Sequence, residues 1–352
     1  MSESIYLDCQ ATTPMAPEVF AAMEPWLKDQ FWNPHSAHTG GRKAAAAVEA
    51  AREQVATLLP AGGRVIFTSG ATEALNLAIK GCGLPVSALA TEHAAVLDCV
   101  EQVGGETLSV GHDGICETQY WENGLAACML VNNEIGTIQP IVDISDAVHD
   151  AGGLLLCDAV QGFGRLVLPD GPDMIAVSAH KIHGPKGIGA LWVRDGIVLD
   201  PLMHGGGQEQ GLRSGTLSPA LCVGFGAAAR LAAERMADDW AHVEALWTRA
   251  NELFADWTIN GSERFRYKGN LNIRRDGVDV ARLMSECREV MFSAGSACAS
   301  GSGRPSHVLR AIGLTEQQAK SSIRLGWGRY TTVEEIERAA SLINAAVERQ
   351  FA

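Results

Sequence analysis

The chain has 352 residues, 47% of them hydrophobic and 20% charged, enough for one large domain with a substantial core and a smaller second one. A formal charge of -13 with no basic block along the sequence argues against a nucleic-acid-binding surface, because phosphate contacts need clustered Lys and Arg. The opening MSESIYLDCQATTP lacks the basic start and apolar core of a signal peptide, and no apolar run approaches the roughly 20 residues needed to span a bilayer, so the expected location is the cytosol.

In chain order, the Ala-rich stretch 41–59, with Arg42, Lys43, Glu49, Arg52 and Glu53 interspersed, predicts a long helix. A β-like run at 64–68 then enters Ser69-Gly-Ala-Thr-Glu73, where a second helix can start. Further short apolar runs at 86–90, 127–131, 154–157, 174–177 and 189–193 alternate with helical or loop stretches. That alternation predicts an α/β fold, a mostly parallel sheet covered by helices. Gly205-Gly206-Gly207 marks a tight loop. From about Met236 the character changes, with helix-like segments at 240–254 and 332–349 flanking short strands around 271–273 and 290–292. The expected division is a large domain over 14–236 and a smaller α+β domain formed by 1–13 and 237–352.

Ligands of α/β sheets gather at the carboxyl ends of the strands, and several polar residues fall just after predicted strands. Thr72, His93, Asn133, Asp158 and the pair His180-Lys181 are all so placed, and one pocket could collect them. The Gly70-Ala71-Thr72 turn at a helix start offers backbone N–H groups and a hydroxyl, which suits a phosphate without net basic charge. Neither a Walker A loop nor G-x-G-x-x-G after a strand occurs. The 9 cysteines include no C-x-x-C pair, which speaks against a zinc ribbon or a disulfide scaffold. Most sit in apolar surroundings, as small buried hydrophobes do. Cys298, within Gly295-Ser-Ala-Cys-Ala-Ser-Gly301, stands in a run of small residues with no core pattern, where a thiol can reach a substrate.

Ten ordered motifs carry a resemblance. They are Tyr6-Leu-Asp8 with Ala11-Thr-Thr-Pro14, Asn33-Pro-His-Ser36, Phe67-Thr-Ser-Gly-Ala-Thr-Glu73, Thr91-Glu-His93, Val131-Asn-Asn-Glu-Ile-Gly136, Asp158-Ala-Val-Gln161, Ser178-Ala-His-Lys181, Gly184-Pro-Lys-Gly-Ile-Gly189, Arg213-Ser-Gly-Thr216 and Gly295-Ser-Ala-Cys298. In this order they resemble the cysteine desulfurases of the NifS/IscS type, members of the class V aminotransferase family with the fold of type I pyridoxal-phosphate enzymes. Ser-x-His-Lys is the element specific to the cofactor, and Gly-Ser-Ala-Cys the one specific to desulfurases.

The resemblance implies roles residue by residue. Lys181 carries pyridoxal 5'-phosphate and serves as the base at the substrate Cα. Asp158 keeps the pyridine nitrogen protonated, Gln161 donates to the ring phenolate, and His93 stacks on the ring and moves protons. Ala71, Thr72, Ser178 and His180 contact the phosphate, with Thr216 reaching in from a second subunit of a homodimer. Asn133 and Arg324 clamp the substrate carboxylate, a task that suits a planar guanidinium. Cys298 takes sulfur from L-cysteine as a persulfide, leaving L-alanine, and hands it to a sulfur-acceptor protein such as an iron–sulfur scaffold. Glycines at 295, 301 and 303 suit a loop that travels.

Leu130 stands where close relatives often carry His, the segment 105–127 is short, and the sequence lacks beyond Ala352 the longer tail that helps dock the scaffold. These departures bear on the partner rather than on the chemistry. Two other readings are a selenocysteine lyase, or another lyase, on the same scaffold, and a non-catalytic sulfur-carrier subunit. The latter would be expected to have lost Lys181 or Cys298, and both are present.

Overall fold

The structure, a computed structural model, describes residues 4–117, 121–294 and 306–352. A 7-stranded sheet forms the centre, in the spatial order Gly63–Thr68, Gly189–Arg194, Met174–Ser178, Leu154–Asp158, Leu125–Met129, Val86–Leu89, Glu106–Leu108. Gly189–Arg194 runs antiparallel to both of its neighbours, and every other adjacent pair is parallel. Helices cover both faces, so the inner strands are apolar throughout: all residues of Leu125–Met129 and Met174–Ser178 are buried.

One face packs Ile66, Ala88, Ala127, Leu156, Ala176 and Leu191 against the helices Ala71–Gly81 and Ala94–Gln102. On the other, Phe67, Cys128, Leu155, Val177 and Trp192 meet Thr39–Ala56 and Pro219–Leu253. The expected α/β layering is therefore present. The helix expected over 240–254 begins much earlier, at Pro219, with Ser218 as its cap. Its stretch from Ala220 to Ala232 is made largely of small residues, is buried on almost every side and carries no amphipathic stripe. Close approach explains the glycines there: a Cβ on Gly226 would lie 2.7 Å from Ala51 Cα.

A second, antiparallel sheet places Asn270–Arg274 between Thr258–Ile259 and Ser322–Gly326. The N-terminal strand Ile5–Tyr6 pairs with Val290–Met291, and Asp8 bridges to Gly326. The chain's first residues thus run across the second sheet and on to the carboxyl ends of the first. Among the described residues no helix is long and apolar enough to cross a membrane.

Candidate active site

Four parallel strands deliver polar residues to one edge. Asp158 and Ser178 end their own strands, while His93 and Asn133 lie in the turns after Val86–Leu89 and Leu125–Met129. Register sets Met129 beside Asp158 and Asp158 beside Ala176, so these ends lie level. They open on a cavity of about 690 Å³. Its walls include Ala71, Thr72, His93, Asn133, Asp158, Gln161, Ser178, His180, Lys181 and Arg324, which brings ten of the predicted site residues together.

Lys181 closes the 3-10 turn Ala179–Lys181 after its strand. Its Nζ donates to the carbonyl oxygens of Gln10 and Ala11, the latter at 2.8 Å. Among the described residues no carboxylate binds the amine. Burial first, then the guanidinium charges of Arg165 and Arg324, lower its pKa from 10.5 to about 7, although Asp158 and Asp8 pull the other way. A large neutral fraction at neutral pH makes this amine a competent nucleophile and base.

Asp158 is buried, and among the described residues its carboxyl has one hydrogen-bond partner, the Val160 N–H at 3.0 Å. Burial raises its pKa, and the Val160 N–H and the charges of His93 and Lys181 oppose that shift. A buried carboxyl on a cavity wall without a side-chain donor is a group built for a ligand cation or N–H. Gln161 donates from Nε2 to the Gln10 carbonyl at 2.9 Å, and its Oε1 accepts from Arg165 at 2.6 Å. Arg165 thereby fixes the amide's orientation and leaves its second N–H for the cavity. The same guanidinium grips the Lys181 carbonyl at 2.7 Å.

His93 caps the helix Ala94–Gln102, its Nδ1 accepting from the Ala95 N–H at 3.0 Å. That bond puts the hydrogen of the neutral ring on Nε2. The turn beneath it is gripped from three directions: Met129 N–H to Glu92 Oε1 at 2.7 Å, Asn132 Nδ2 to the Thr91 carbonyl at 2.8 Å, and His307 Nε2 to the Glu92 carbonyl at 2.8 Å. Burial pushes the Glu92 carboxyl well above the usual carboxylate range.

The start of Ala71–Gly81 brings Ala71 and Thr72 to the cavity wall, which Ser178 and His180 also line. Glu73 shapes this turn, accepting the Ser69 N–H at 2.6 Å and pairing with Arg213 at 2.7 Å. A Cβ on Gly189 would lie 2.8 Å from Gly70 Cα, so glycine lets the antiparallel strand pass directly under the turn. His180 binds Thr12 through Nδ1 at 3.1 Å, and burial with the neighbouring Lys181 lowers its pKa to about 4, so it is neutral.

Thr216 is exposed and stands apart from this cavity. Cys298, together with Gly295, Gly301 and Gly303, lies outside the described residues. Sequence reasoning missed Arg165, the carbonyls of Gln10 and Ala11, and two cavity residues, Glu134 and His307. The segment that carries these carbonyls was marked by Ala11-Thr-Thr-Pro14, but backbone carbonyls leave no side-chain trace.

The described residues suit pyridoxal 5'-phosphate: a near-neutral lysine, an unpaired buried acid and a helix start stand around a cavity of sufficient size. Comparison with known proteins agrees. The aminotransferase class-V family matches residues 5–339. The cysteine desulfurase IscS of Rickettsia rickettsii (strain Iowa) is 40% identical, over 98% of this chain and 91% of that protein. Among solved structures, a NifS-like protein from Rickettsia africae ESF-5 superposes with a TM-score of 0.89 at 28% identity, covering 99% of each chain. SspA in complex with cysteine superposes with a TM-score of 0.80 at 34% identity, covering 94% of this chain and 100% of that one.

Proposed function

Since the chain belongs to the class-V aminotransferase family and, within it, to the cysteine desulfurases of the IscS/NifS type, we propose that it removes sulfur from L-cysteine at the cavity around Lys181, releasing L-alanine. It is a pyridoxal-phosphate-dependent enzyme. The single observation that carries the site is that Lys181 and the buried carboxyl of Asp158 stand on the walls of one cavity.

When bound, the cofactor supplies a carbonyl for the lysine and for the substrate amine, and an electron sink for Cα. Lys181 holds it and, once displaced by substrate, takes the Cα proton on Nζ. Asp158 would accept from the ring nitrogen and so keep that nitrogen protonated, and Gln161 would donate its free amide N–H to the phenolate. Ala71, Thr72, Ser178 and His180 receive the phosphate. His93, its Nδ1 tied to the Ala95 N–H, turns Nε2 to the cavity and moves protons there. Asn133 and Arg324 hold the α-carboxylate.

Sulfur chemistry falls to Cys298. Its thiolate attacks the substrate sulfur, the S–S bond forms as C–S breaks, and the three-carbon remainder takes up protons and leaves as L-alanine. The persulfide is then passed to a sulfur-acceptor protein, for which an iron–sulfur scaffold has the right chemistry. This assignment is supported by elimination, because none of the eight described cysteines lines the cavity. Cys9, Cys128 and Cys157 are buried and their thiols pushed upward, Cys9 to about 12. Loaded protein should release alanine from L-cysteine in step with sulfur. A protein that released alanine from L-selenocysteine at least about tenfold faster would be a selenocysteine lyase instead.

The chain is further read as a large cofactor domain over 14–236 with 1–13 and 237–352 forming the smaller one, the long helix Pro219–Leu253 belonging to both. It acts as a homodimer in which Thr216 serves the partner's phosphate. Exposure of Thr216 away from its own cavity supports that arrangement. Sedimentation of the active enzyme should give twice the chain mass of 37.4 kDa, and a fully active monomer would exclude a shared site.

A further inference from the structure

Arg324 is buried, with 1% of its surface exposed, and most of its N–H groups are already engaged. Nη1 donates to the Asn133 carbonyl at 3.1 Å. Nη2 donates to Asp8 Oδ1 at 2.6 Å and to Ser293 Oγ at 3.3 Å. The Ser293 hydroxyl in turn donates to the same Asp8 oxygen at 2.9 Å, closing a three-membered ring of side chains. Among the described residues Nε is buried without a partner.

A carboxylate pairs with a guanidinium along one of two edges, Nη1 with Nη2 or Nε with Nη2, and both edges use Nη2. An incoming α-carboxylate must therefore take an Nη2 hydrogen from Asp8 or from Ser293. Whichever contact yields, the carboxylate of Asp8 stays beside the newcomer as a like charge.

We propose that Asp8 is a resident carboxylate on the substrate-binding arginine, which keeps Arg324 paired between turnovers and lowers the cavity's affinity for the α-carboxylate of amino acids. The inference rests on the reading of Arg324 as the carboxylate clamp. A buried guanidinium without a counter-charge would be costly, and Asp8, with 19% of its side chain exposed, supplies one. Product carries the same carboxylate as substrate. Competition from Asp8 thus favours the departure of L-alanine as much as it weakens the arrival of L-cysteine. Asp8 acts through Arg324 and is a positioning residue.

The test compares an acid with its amide. Cofactor-loaded wild type and Asp8→Asn are titrated with L-alanine and with L-alaninamide, following the cofactor's absorbance. Asp8→Asn should bind L-alanine about tenfold more tightly, because a like charge has gone, and L-alaninamide as before. Equal or weaker binding of L-alanine overturns the inference, since a merely structural Asp8 would lose affinity when replaced. Should Asp8→Asn fail to fold, Ser293→Ala frees an Nη2 hydrogen and is read by the same contrast, with about threefold tightening expected and equal or weaker binding overturning it. A wild type that binds the amide as well as the acid would overturn the clamp itself, a failure distinct from a change confined to the variant.

Discussion

Replacing Lys181 by alanine is expected to abolish the visible absorption of the cofactor-loaded protein and to lower turnover by at least about a thousandfold, the loss typical of removing both a covalent anchor and a general base. Borohydride reduction followed by mass spectrometry should leave the cofactor's mass on wild-type Lys181 and none on the variant. Removing an amine that burial penalises leaves the fold intact, so the circular dichroism of the two proteins should coincide. The pH dependence has a definite sign. The wild-type amine is lowered from 10.5 to about 7, so its neutral, nucleophilic form grows as pH rises through about 7 and is nearly complete a unit or so above. The rate at which the apoprotein takes up the cofactor should follow that curve and then level off. A rate still climbing near the pKa of an ordinary lysine would show that Arg165, Arg324 and burial do not act on Nζ as the geometry requires.

Cys298→Ser should separate cofactor chemistry from sulfur chemistry. A hydroxyl stays protonated at neutral pH and cannot form a persulfide, whereas the walls around Lys181 are untouched. The variant is expected to take up the cofactor, to change its absorbance with L-cysteine, and to release alanine and sulfide at least on the order of a hundredfold more slowly. Cys287→Ser is the control. Cys287 ends the helix Val280–Glu286, is buried with 4% exposure, and has its thiol pushed up by burial, so it is a structural residue and its replacement should retain most of the activity. Near-normal turnover by Cys298→Ser, or sulfur-35 from labelled cysteine recovered on Cys287, would remove Cys298 from the mechanism.

The legible parts of this molecule are those in which a local pattern has one physical meaning. Short apolar runs broken by polar turns can only be buried strands between helices, and the residues directly after them, His93, Asn133, Asp158 and Lys181, did come together. The strand expected at 127–131 is Leu125–Met129, a shift of two residues, because Leu130 and Val131 are as apolar as the strand but belong to the turn that leads to Asn133. Pro219 to Ala232 stayed hidden because a helix buried on nearly all sides has no polar face to set its period. Arg165 was hidden for a different reason. Nothing local distinguishes a guanidinium that orients Gln161 and clamps the Lys181 carbonyl from one that faces water. The Asp8, Ser293 and Arg324 ring was equally out of reach, since it depends on three segments that only the fold brings side by side.

That ring also bears on how the enzyme is made. Asp8 and Arg324 are 316 residues apart in the chain, Ser293 and Asp8 285, and the carbonyl of Gln10 and Nζ of Lys181 171. Loop closure over such spans comes late, after the local strand and helix pairs have formed. On the ribosome the sheet with Asp158 and Lys181 can be complete while the strands Val290–Met291 and Ser322–Gly326 are still unmade, and residues 5–8 then have no strand to pair with. The sheet side of the lysine pocket is therefore built before the ring around Arg324, the proposed amino-acid clamp. A nascent chain can meet its cofactor first, and it becomes able to hold an amino acid only when its last hundred residues or so return to its first ten.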